Sequence, residues 1–154
     1  MAIEKAKEHL KKYQLEDRVI ELADSSATVQ LAAEALGCMP GEIAKTLSFL
    51  IGEEPVLILA EGTARVDNHK FKETFHAKAK MIAPDKVEEY VGHAPGGVCP
   101  FGVLPSVKVY MDESLRKYEI VYPAAGNDHS AVKLSISELE LASGSQGWVN
   151  VCKE

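Results

Sequence analysis

Residues 42–62, "EIAKTLSFLIGEEPVLILAEG", restrict the fold more than any other stretch. Two apolar runs flank "GEEP", the pattern of a β-hairpin. The second run, residues 56–60, is apolar throughout, which predicts a central strand covered on both faces. The first run alternates. Side chains repeat with a period of two along a strand, so Lys45 shares a face with Ile43, Leu47 and Phe49. An ammonium on an apolar face is costly. Two readings stand: an edge position with a snorkelling stem, or a cation lining a pocket.

The flanking segments predict a mixed domain. "AIEKAKEHLKKY" reads as a surface helix with His9 in solvent, and "RVIEL" as a short strand. "DSSATVQLAAEALG" begins with several possible N-caps and ends in Gly37. Its Val29, Ala32, Ala33 and Leu36 fall on one helical face. Asp67 is placed to cap the helix "NHKFKETF", and "APDKVEEYVG" reads as a short helix. "SVKVYMD", "YEIVYPAAG", "AVKLSI" and "GWVNV" have strand character, and "SELELAS" helix character. The expectation is one domain over residues 1–154, α+β, with a largely antiparallel sheet and sequential hairpins in its second half. The regular β-α-β alternation of a doubly wound fold is absent.

Charge and cysteine usage exclude several functions. Lys and Arg number 17 against 23 Asp and Glu, a net charge of -6, whereas general nucleic-acid binders are basic. No DNA partner is expected, though a local basic patch can still dock one nucleic acid. No apolar run is long enough to span a bilayer. The first eighteen residues lack the apolar core of a signal peptide, so a cytoplasmic location is expected. Three widely spaced cysteines without a CxxC pair argue against a disulfide framework or a structural zinc site. The five histidines form no HExxH or similar ligand set, so no metal is expected and no cofactor is called for.

The loop "GHAPGGVCPFG", residues 92–102, concentrates glycine and proline. It is not a phosphate-binding P-loop: Gly97 and Gly102 have the spacing, but Val103 stands where lysine is required. It is not a dinucleotide fingerprint either. A tight connector and a loop whose backbone amides approach a ligand both remain open. His93 beside this loop and His129 after "AAGND" are candidate polar site residues. A Cys99–His93 nucleophile pair lacks an evident third group.

Taken in order, "EIAKTLSFL", "GTARVDNHKF", "VGHAPGGVCPFGV", "VYMDESL" and "VYPAAGNDHSAVKLSISEL" resemble the YbaK and prolyl-tRNA synthetase-associated domains. These are trans-editing aminoacyl-tRNA deacylases, and the resemblance covers about residues 28–141. It implies a mainly antiparallel sheet curled towards a barrel, surrounded by helices. It implies hydrolysis of the ester joining a wrong, small amino acid such as Ala, Cys or Ser to tRNA(Pro) or a related tRNA. The partners it implies are the acceptor end of an aminoacyl-tRNA and an aminoacyl-tRNA synthetase. The family's lysine corresponds to Lys45, followed by Thr46. Its glycine-rich loop corresponds to Gly96, Gly97 and Gly102 with Pro100, and its later glycine to Gly126. The amides of Gly96 and Gly97 are then expected to hold the ester carbonyl, and Lys45 to orient that carbonyl or the phosphate and ribose of the terminal adenosine. Cys99 and His129 are expected to line the pocket. Ala124-Ala125-Gly126 replaces the Ser-Ala-Gly of many YbaK-type members, and His129 three residues on resembles the editing domains inserted in prolyl-tRNA synthetases. A non-catalytic module binding a small amino acid or a tRNA 3' end is the competing class.

Overall fold

The computed structural model describes residues 2–23 and 28–153. Its strands are β1 (Val19–Glu21), β2 (Ala44–Ile51), β3 (Glu54–Glu61), β4 (Arg65–Val66), β5 (Lys108–Asp112), β6 (Ile120–Val121), β7 (Ser130–Val132), β8 (Leu134–Ser135), β9 (Trp148–Val149) and β10 (Cys152–Lys153). Its α-helices are α1 (Ala2–Lys11), α2 (Val29–Leu36), α3 (Asn68–Phe75), α4 (Val87–Val91) and α5 (Ile136–Ala142).

The hairpin forms as read. β2 and β3 pair antiparallel from Ala44↔Glu61 to Ile51↔Glu54. The two-residue loop between them starts at Gly52, whose φ of 64° suits a primed turn. β3 is central in the order β2-β3-β5-β9, and Val56 to Ala60 are no more than 2% exposed. Leu57 and Leu59 face a core shared with Leu10 of α1, Phe101 and Leu139. Val56, Ile58 and Ala60 face a second core with Phe49 and Phe71 of α3.

The pairing departs from expectation in the second half. β5 pairs parallel with β3, and β9 parallel with β5. A parallel return needs a crossover of a dozen or more residues. Residues 62–107, with α3, α4 and the glycine loop, supply it. The remaining strands form two-stranded antiparallel ladders, β1–β7, β4–β10 and β6–β8, rather than sequential hairpins. No barrel closes among the described residues. The outer edge of β2 is instead covered piecemeal: Leu50 and Ile82 exchange bonds with Lys80 and Ser48, and Ala44 and Tyr122 with Tyr122 and Glu42.

Local signals place the helices. Thr28 caps α2, its hydroxyl accepting from Leu31 N–H at 3.1 Å, and Gly37 ends it at φ 69°. The other candidate caps, Asp24, Ser25 and Ser26, lie outside the described residues. Asp67 caps α3 by accepting from His69 and Lys70 N–H. α1 buries Ile3, Ala6 and Leu10, and His9 is half-buried rather than solvated. The His9 Nε2 lies 2.6 Å from Ala142 O, and its ring packs on Tyr13 and Phe101.

His93 belongs to the core and not to a site: it is fully buried, with Nε2 2.7 Å from Phe101 O. A carbonyl only accepts, so Nε2 carries the proton. Burial is the main cause holding its pKa below the ordinary histidine value. The unfolded chain therefore takes up a proton near pH 6.5 that the folded chain refuses. Stability is expected to be full above that pH and to fall as pH drops below it, by up to about 1.4 kcal/mol per pH unit. Urea unfolding at pH 7.5, 6.5 and 5.5 checks this, and His93→Leu should flatten the slope. An unchanged slope in that variant contradicts the assignment.

Candidate functional site

The start of β2, the N-terminal half of α2, the glycine loop and the chain around β7 enclose a cleft of about 220 Å³. Thr28, Val29 and Ala32 line it together with residues 43–46. Gly96, Val98, Tyr122, Ala124, Ser130 and Ala131 complete its lining. Among the described residues no Asp or Glu stands on these walls.

Lys45 and Thr46 therefore border the cleft, as does Gly96. β2 is the edge strand of the main sheet, yet the Lys45 ammonium does not simply snorkel. It donates to the carbonyls of Gly62, at 3.3 Å, and Ala64, in the turn that ends β3. Half-burial is the largest cause lowering its pKa from the ordinary lysine value. That turn is anchored in its own right. Glu61, 1% exposed, accepts from Thr63 Oγ1 at 2.6 Å and Tyr118 O–H at 3.2 Å, and pairs with Lys117 Nζ at 2.6 Å. Burial alone pushes the Glu61 carboxyl up, but hydrogen bonds from Lys117, Thr63 and Tyr118 outweigh it and hold it below its usual range. The cation is thus fixed in place by a buried network rather than by a single contact.

The glycine loop divides into different jobs. Gly96 is exposed at the cleft with φ 88°. Gly97 is buried, and its N–H donates to Ala94 O at 3.1 Å, so this amide is engaged within the loop. A Cβ on Gly97 would stand 2.6 Å from Gly126 O and 2.7 Å from Asn127 Cα. Gly97 and Gly126 hence let two loops touch, and neither is among the residues that line the cleft. Gly102, at φ 73°, packs on the backbone of Lys5 in α1, where a Cβ would meet Lys5 O at 2.8 Å. It locks the loop to the helix, away from the cleft.

Pro100 and Cys99 are buried beneath the loop, and the structure does not bring them to the cleft. The Cys99 Sγ lies 3.6 Å from both His93 Nε2 and Phe101 O. Burial pushes its thiol up to about 12, so it is neither exposed nor ionised at neutral pH. A Cys–His nucleophile is thereby excluded. His129 sits on an exposed turn with Nδ1 3.1 Å from Asp128 Oδ1, outside the cleft wall. Sequence reasoning missed Ser130 and Tyr122. Nothing in the pattern marks a serine inside a strand run as a wall residue. Its hydroxyl and that of Thr46 are buried with no hydrogen-bond partner among the described residues.

The family described as aminoacyl-tRNA editing domain matches residues 23–141. An uncharacterized protein of Bacillus subtilis (strain 168), YwhH, is 43% identical over all of this chain and 99% of its own length. The proline–tRNA ligase of Limosilactobacillus fermentum is 34% identical over 95 residues, 58% of this chain but 17% of the ligase. A solved structure described as a candidate trans-editing enzyme for prolyl tRNA synthetase superposes with a TM-score of 0.89 at 28% identity, covering 99% of this chain and 98% of its own.

Because the Gly97 Cβ has no room against backbone, Gly97→Ala is expected to lower the melting temperature and to open the cleft. Gly96→Ala meets only Asp128 Cβ at 3.5 Å. It should cost only its left-handed backbone strain, roughly 1–2 kcal/mol. Thermal melts of the two variants side by side check the order.

Proposed function

The chain belongs to the aminoacyl-tRNA editing domain family, and we propose that it is a trans-editing hydrolase that removes a small amino acid, Ala, Ser or Cys, from mischarged tRNA(Pro) or a related tRNA. The observation that carries this reading is the Lys45 ammonium, fixed by two carbonyls at the edge of a small cleft that Gly96 also lines. An aminoacyl ester is already activated, so no strong protein nucleophile is needed. The cleft has to hold the carbonyl, stabilise the oxyanion as water attacks, and release the ribose oxygen. The fixed charge of Lys45 and the Gly96 N–H suit that task, because donors that are already in place cost no reorganisation at the transition state. One such donor is worth about 2.7–4 kcal/mol of barrier.

Short side chains at Ala32, Ala124 and Ala131 favour a small aminoacyl group. Steric exclusion of a larger one discriminates better than attraction, since a methylene contributes only about 1–3 kcal/mol. The likeness to part of a proline–tRNA ligase supports tRNA(Pro) as the carrier and a synthetase as a working partner. It also supports a cytoplasmic setting.

Charge placement supports an RNA partner despite the acidic total. Residues 65–80 carry five Lys or Arg against two Asp or Glu. Arg65, Lys72, Lys78 and Lys80 are exposed. This segment begins directly after the carbonyls that hold Lys45, so an acceptor arm leaving the cleft can follow it.

Incubation with tRNA(Pro) charged with Ala, Ser, Cys and Pro tests the reading. Ester loss on the small amino acids, reduced at least about a hundredfold in Lys45→Ala, is the expected result. Binding without hydrolysis across the panel favours the non-catalytic module instead. The triple variant Lys72→Glu/Lys78→Glu/Lys80→Glu should weaken tRNA affinity and flatten its salt dependence while sparing hydrolysis of a minimal aminoacyl-adenosine. Unchanged tRNA affinity and salt slope would remove this surface from the proposal.

A further inference from the structure

Two cleft hydroxyls are left over from the folding of the chain. Ser130 is 3% exposed, and its Oγ has no hydrogen-bond partner among the described residues. The Oγ1 of Thr46 is equally buried and equally unpartnered, and both residues stand on the wall of the one cleft. Buried hydroxyls are ordinarily paired, and leaving one unpaired opposes folding. Two in one small cleft point to a group that arrives with a ligand.

The chemistry of the wall selects that group. An aminoacyl ester presents a carbonyl, a ribose hydroxyl and an α-amino group. The carbonyl needs donors, and Lys45 and the Gly96 N–H can only donate. The amino group needs acceptors, and no carboxylate lines the cleft among the described residues. Hydroxyl oxygens accept as well as donate. Ser130 is also held rigidly: β7 pairs with β1 with Ser130 opposite Glu21.

We infer that Ser130 and Thr46 form a hydroxyl pair that accepts the α-amino group of the bound aminoacyl ester, a reading that rests on the deacylase assignment above. The pair makes the cleft selective for an α-amino acyl group over a plain acyl group. It is a binding contact, separate from the donors that serve the carbonyl.

Two stable amide analogues test it, 3'-alanylamino-3'-deoxyadenosine and 3'-propionylamino-3'-deoxyadenosine, which differ only in the α-amino group. By calorimetry the wild type should bind the amine-bearing analogue about tenfold tighter, the effect of one good hydrogen bond. Ser130→Ala should bring the two affinities within about twofold of each other by weakening only the first. Ser130→Thr, which keeps a hydroxyl, should restore the preference. Ser130→Ala should also melt at or above the wild type, because the hydroxyl it removes has no partner in the free protein. The inference is overturned if the wild type does not discriminate or binds neither analogue. Equal loss of both analogues in Ser130→Ala, or a melt well below the wild type, overturns it too. Hydrolysis is scored separately on alanyl-tRNA. Discrimination by a wild type that never hydrolyses acyl-tRNA keeps the pair and removes the deacylase reading. Hydrolysis without discrimination does the reverse.

Discussion

Burial of β3 on both faces is the constraint on which the rest of the molecule depends. Its residues from Val56 to Ala60 are all but inaccessible, and each large one contributes about 1.5–3 kcal/mol on leaving water. Side chains alternate across a strand, so one core layer cannot satisfy both sets. Leu57 and Leu59 require α1 and the glycine loop on one side, and Val56 and Ile58 require α3 on the other. The partner strand β2 is thereby fixed in register, and with it the position of Lys45.

The cleft grows out of that arrangement. Where β3 ends, its chain turns back through Gly62 and Ala64 and offers two carbonyls to the lysine. The buried Glu61 network holds the turn from behind. Opposite, the contact of Gly97 with Gly126 and Asn127 sets how closely two loops approach, and so where the Gly96 amide stands. Among the described residues few buried polar atoms lack a hydrogen-bond partner: the Thr46 and Ser130 hydroxyls at the cleft, and His93 Nδ1 in the core. Local violations of an otherwise consistent structure tend to occur where function needs them.

Much of this was legible in the chain, and the exceptions have physical causes. The hairpin, the α2 and α3 boundaries and the awkward lysine follow from periodicity and capping, which act over a few residues. Strand direction does not: "SVKVYMD" looks the same whether its neighbour runs with it or against it, and the parallel β3–β5 pairing depends on the long crossover between them. The glycine-rich loop was readable as special, but its glycines serve three different ends. Gly96 faces the cleft, Gly97 meets another loop, and Gly102 meets α1. His93 and Cys99 looked like chemistry by residue type, and burial makes them core.

By itself, the sequence determined a two-faced central strand, a strand carrying a lysine among apolar neighbours, and a set of motifs ordered like those of an editing domain. Each of these depends on local spacing or on residue type. Only the tertiary structure decided which groups share the cleft, because they come from segments far apart in the chain, Thr46, Gly96 and Ser130 among them. No local propensity reports such distances. The partnerless state of a hydroxyl likewise exists only once the rest of the chain has closed around it and removed the water that would have served it.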